Sequence, residues 1–132
     1  MNNKSRLPLA LFLMRISVFL VMFMWTLDKF VQPEHAAAII ANFYKLEGLG
    51  SGLLYAIAGI EMIIILGFVA GFQKKWTYGF VLIVHGISTL SSYKQYLAPF
   101  DSLLFFAAWP MLAACYAVFA LRDEDTMFAI SK

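Results

Sequence analysis

Arg15, Glu61 and His85 each interrupt a long apolar run of this 132-residue chain, and they are its first candidates for chemistry. An ionised side chain facing lipid near the bilayer centre costs about 2.5–3.5 kcal/mol on insertion scales, so such groups turn inward and find partners. At about 1.5 Å rise per residue, Arg15 lies ~12 Å, Glu61 ~16 Å and His85 ~14 Å from the cytoplasmic ends of their spans. The three depths agree, although the residues belong to three different segments. The spacing predicts one midplane centre, with Arg15 forking onto the Glu61 carboxylate. His85 would accept from Arg15 or donate to Glu61. Such a centre is either a proton or ligand site or a buried pair that fixes which helix faces which.

Two stripes extend from this centre toward the opposite face. Lys29 follows Arg15 by 14 residues, close to four helical turns, so both share one face of the first span. His85, Ser88, Thr89, Ser92 and Tyr96 recur at i+3 and i+4, which predicts a polar track or a set of ligand contacts. The alternative is that the hydroxyls bond back to carbonyls of their own helix. Cys115, the single cysteine, excludes an internal disulfide, a CxxC pair and a thiolate cluster, and it reads as a small packing residue. Glu34–His35 gives two adjacent ligand types without a supporting cluster, so no metal site is expected. One histidine within a span does not suit a bis-histidine haem. No self-sufficient catalytic motif is present.

The elements that must hold these residues follow from composition. Hydrophobic residues make up 62% and charged residues 14%, with a mean hydropathy of +0.78. Both values depart from soluble domains in the direction of the bilayer, which excludes nucleic-acid binding as a main task and disfavours a water-soluble enzyme. A helical span needs roughly 20 apolar residues, so four would use most of the chain. Hydropathy sets them at about 7–27, 52–72, 76–92 and 103–121, in one membrane domain covering 1–132. Period-two alternation, the mark of a barrel, does not occur. The expected fold is therefore an all-α membrane protein, a four-transmembrane-helix bundle with a short amphipathic interfacial helix between helices 1 and 2. Ala36, Ile39, Ile40, Phe43 and Leu46 supply the apolar face of that connecting helix over 34–46.

Gly71 to Lys75 reads as a tight basic turn between the second and third spans. Pro110 predicts a kink in the fourth, because it frees the carbonyl of Phe106. Trp25, Trp76, Tyr78, Tyr93 and Tyr96 fall near the interfaces, as a belt of aromatics does. Gly67 and Gly71 permit close helix approach. The run Arg122 to Asp125 reads as a solvated end. Lys4, Arg6, Lys74, Lys75, Arg122 and Lys132 fall on one side, against Lys29, Lys45 and Lys94 on the other, so both termini are expected to be cytoplasmic. The first run carries Arg15 and lacks a small-residue cleavage site, unlike a signal peptide.

Arg15-Ile16-Ser17-Val18 through Asp28-Lys29-Phe30 resembles the first helix of the DoxX-like membrane proteins, with an arginine followed 14 residues later by a lysine. Ala58-Gly59-Ile60-Glu61, running on to Gly71, is similar to their second-helix motif, and the turn Gln73-Lys74-Lys75 also fits. Phe19 and Thr26 stand where that family often has glycine. The resemblance implies a small accessory subunit of a membrane-bound redox complex in a bacterial inner membrane, acting near the quinone pool. It implies quinone as a possible cofactor, with redox-complex subunits or further copies of this chain as partners. Any catalysis would be that of a quinone-linked oxidoreductase subunit. A structural or assembly protein with a buried Arg–Glu pair and a small proton-coupled transporter are the competing expectations.

Overall fold

Uninterrupted apolar sequence produces the long helices, and the few glycines, prolines and charges end them. The computed structural model describes residues 3–32, 34–35, 37–38, 41, 51–101 and 103–130. Among these, every regular element is helical: α1 (Asn3–Val31), α2 (Ser51–Ala70), α3 (Lys74–Ser91), the short α4 (Tyr93–Tyr96) and α5 (Ala108–Ala120). Two 3₁₀ turns, Leu103–Ala107 and Arg122–Glu124, flank α5. Three stretches are long and apolar enough to cross a membrane: Arg6–Val31, Gly52–Ala70 and Leu103–Ala120. The third expected span forms as helix α3, but it is not among those three. Lys74 and Lys75 at its start, together with His85, Ser88 and Thr89, dilute its apolar character. Of the connecting amphipathic helix, Glu34, His35, Ala37, Ala38 and Ala41 are helical. The rest of that expectation lies outside the described residues.

α1 and α2 pack antiparallel. The Phe30 and Tyr55 rings stack at 6.0 Å near one end, and Gly71 approaches Arg15 near the other. α3 reverses again after a three-residue turn. Gly71 takes φ +67°, the left-handed region that only glycine enters without strain. A Cβ there would stand 2.5 Å from the Cβ and 2.9 Å from the Cα of Ala129. The missing side chain of Gly67 explains the close seating of α2 on α3, because a Cβ there would lie 3.1 Å from Thr77 Cγ2. α5 then packs between α3 and α1, so the four long helices surround one core. Leu11, Val18, Ile65, Phe68, Val81 and Val118 are among its buried members.

The outer faces are as apolar as the core. Ile63 is 73% exposed and Ile83 63%, and α2 carries apolar residues all round, as a helix bathed in lipid does. Pro110 is the third residue of α5, and the chain before it is wound as a 3₁₀ turn. The missing amide is thus accommodated at the helix start, in place of the mid-helix kink that the sequence suggests. Beyond α5 the chain does not leave the bundle as a solvated end. The return segment, Arg122 to Ile130, folds back across the α2–α3 turn, and Ile130 N donates to Ala70 O at 2.8 Å.

Candidate functional site

Arg15 and Glu61 do not pair, and with His85 they form three separate sites in place of one midplane centre. The direction of helical side chains gives the reason. A long side chain leans toward the N-terminal end of its own helix. α1 and α2 run in opposite directions, so Arg15 leans toward the α2–α3 turn while Glu61 leans away from it. Lys29, far along α1, leans back and meets Glu61. Its Nζ lies 3.1 Å from Glu61 Oε2, and the Thr26 hydroxyl lies 3.2 Å from the same oxygen. Thr26 is fully buried, and its single hydroxyl hydrogen is shared between that carboxylate oxygen and Met22 O, 2.8 Å away. This pair keeps a sixth of its side-chain surface open.

Arg15 is fully buried at the other end and pairs with Asp125, Nη1 to Oδ1 at 2.6 Å. Its Nη2 donates to Met127 O at 2.5 Å and to Phe128 O at 3.2 Å. Phe128 adopts φ +52°, the conformation in which the return segment turns a carbonyl toward the guanidinium. Tyr78 donates to the second carboxylate oxygen of Asp125 at 2.6 Å. Tyr78 is therefore a buried ligand of this cluster and not a belt residue. Lys74 Nζ donates to Arg122 O at 3.1 Å and to Asp125 O. Burial pushes the Lys74 amine below its ordinary value, Asp125 pulls it up, and Arg15 adds to the depression.

Asp125, Tyr78, Lys74 and Thr26 are the partners that the sequence reading missed. For Asp125 a signal existed, since the apolar run Met127 to Ile130 follows the acidic stretch and argues for a return to the bundle. Tyr78 and Lys74 carried none, because aromatic and basic residues near a span end are ordinary there.

His85 is buried and bonds to neither Arg15 nor Glu61. Its Nε2 lies 3.0 Å from Ala108 O on α5 and 3.3 Å from the Thr89 hydroxyl. Trp25 of α1 stacks over the imidazole, with ring centroids 5.9 Å apart and an interplanar angle of 29°. The hydroxyls of the expected track do bond back into the chain. Thr89 donates to His85 O at 2.7 Å, Ser92 to Ser88 O at 3.1 Å and Tyr96 to Thr89 O at 2.9 Å. Each of these bonds ends on a backbone carbonyl, so the hydroxyl hydrogens are held by the chain itself.

Beside His85 a cleft of about 730 Å³ opens between α1, α3 and the chain leading into α5. Val18, Trp25, Ser88, Phe105 and Met111 are among its walls. An apolar cleft of this size with a few polar groups is the ordinary form of a small-molecule site. Among the described residues no cluster of metal-ligating side chains occurs. In comparisons with known proteins, no family model, curated protein or solved structure matches this chain.

Proposed function

We propose that this chain is an integral membrane protein of the DoxX-like kind, a small subunit of a membrane redox complex that holds a lipid-soluble quinone-type molecule. The cleft between α1, α3 and α5 carries this reading, because its walls are apolar and aromatic and its volume of about 730 Å³ suits such a ring and part of its tail. In this reading electrons come from a partner subunit, and a quinone would supply the means of carrying them through the bilayer. Four crossings are the topology that fits. α3 is joined to α2 by a three-residue turn and is packed antiparallel to α5, so it lies in the membrane if its neighbours do. The surplus of Lys and Arg near the α2–α3 turn supports a cytoplasmic position for that end, and the bacterial inner membrane belongs to the DoxX-like reading.

The test is isolation from native membranes in mild detergent, followed by lipid extraction and mass spectrometry. Bound quinone with a copurifying oxidoreductase is the expected result, and the absence of both overturns the reading. A second reading, a structural or assembly protein, is favoured by the closure of both ion pairs within the bundle. The same closure speaks against a proton-coupled transporter, which needs a carboxylate free to exchange partners.

A further inference from the structure

We infer that the cleft selects the reduced, hydroxyl-bearing form of its ligand, a quinol over a quinone, through the Nδ1 atom of His85. This rests on the reading of the cleft as a quinone-type site. The argument is one of hydrogen-bond polarity. Ala108 O, 3.0 Å from Nε2, can only accept. The Thr89 hydroxyl, 3.3 Å away, already donates its hydrogen to His85 O at 2.7 Å, so toward the ring it too can only accept. Nε2 must therefore carry the proton. In the neutral ring Nδ1 is then a bare lone pair.

That lone pair is buried and has no hydrogen-bond partner among the described residues. A buried acceptor left unmade costs free energy, and a ligand that donates to it recovers the loss. A quinol hydroxyl donates. A quinone carbonyl only accepts, and its lone pairs facing Nδ1 repel. A charged imidazolium would reverse the preference, but it would bury an N–H without an acceptor. Trp25 is the side chain positioned to admit the ligand. It stacks on the imidazole, lines the cleft and is 45% exposed, so its outward displacement would open the buried His85 ring to the cleft.

The experiment is displacement of radiolabelled decylubiquinone from the full chain in nanodiscs, under anaerobic conditions, with protein-free nanodiscs as the partition baseline. Unlabelled decylubiquinol should displace the label at roughly five- to tenfold lower concentration than unlabelled decylubiquinone, the scale of one hydrogen bond. The dimethyl ether of the quinol, which keeps the shape but has no donor, should behave like the quinone. His85→Leu should erase the difference while quinone binding persists. Equal displacement by quinol, quinone and ether overturns the inference and leaves the cleft reading standing. No saturable binding above the protein-free baseline overturns both. The ether comparison needs no variant, so it decides even if His85→Leu fails to fold.

Discussion

At the scale of single residues, the two ion pairs should differ sharply in energetic weight. Arg15 and Asp125 are both fully buried, so removing one strands the other in a medium that cannot solvate it. Arg15→Met or Asp125→Asn alone should cost about 3–5 kcal/mol, and the double variant less than the sum. Thermal or denaturant unfolding in detergent measures this, and strictly additive losses would sink the pairing. Lys29 and Glu61 keep a sixth of their side-chain surface open, so removing either one should cost less than removing Arg15 or Asp125 in the same kind of cycle. Lys74 supplies a pH test. Its folded pKa lies below the ordinary 10.5, so between that lowered value and 10.5 the unfolded chain holds more protons. Stability from this group therefore rises with pH across that window and is a constant penalty below it. Wild type should gain stability relative to Lys74→Met as pH climbs toward 10.5. A gain of the opposite sign would show that the Asp125 attraction outweighs burial.

At the scale of elements, the α2–α3 turn and the return segment form one unit. Gly71→Ala adds a methyl group that meets the Cβ and Cα of Ala129 and forces a left-handed φ on alanine. The conformational part alone costs about 1–2 kcal/mol. The return segment should loosen first, so limited proteolysis of the variant should cut between Arg122 and Ile130 well before the wild type is cut there. Equal resistance would mean that the turn and segment are not coupled. These elements also show what was legible in advance. The long apolar helices were, because hydropathy reports length and burial in lipid directly. So was the reversal at Gly71. The pairing of Arg15 was not, since depth counted along a helix ignores the direction in which its side chains lean. The same omission hid Lys29 as the partner of Glu61, although both had been singled out. Asp125 was missed because acidic residues after a span ordinarily face water, and that expectation outweighed the apolar run Met127 to Ile130 behind it.

At the scale of the whole molecule, the proposed topology has a direct test. In a Cys115→Ala background, Phe72→Cys and Tyr93→Cys introduce exposed thiols at opposite ends of α3. A membrane-impermeant maleimide should label Tyr93→Cys in intact cells and Phe72→Cys only in inverted vesicles. Labelling of both from one side would refute a membrane crossing by α3. The pairing of Arg15 with Asp125 also links residues 110 positions apart, and this has a consequence in time. A ribosome adding roughly 5–20 residues per second makes Arg15 some 6–22 s before Asp125. Throughout that interval the nascent chain carries a guanidinium whose proper counter-charge does not yet exist. The return segment thus reports that synthesis has passed residue 125. Chains interrupted before residue 125 keep an uncompensated cation in the membrane, and membrane proteases should clear them faster than full-length protein in a pulse-chase experiment.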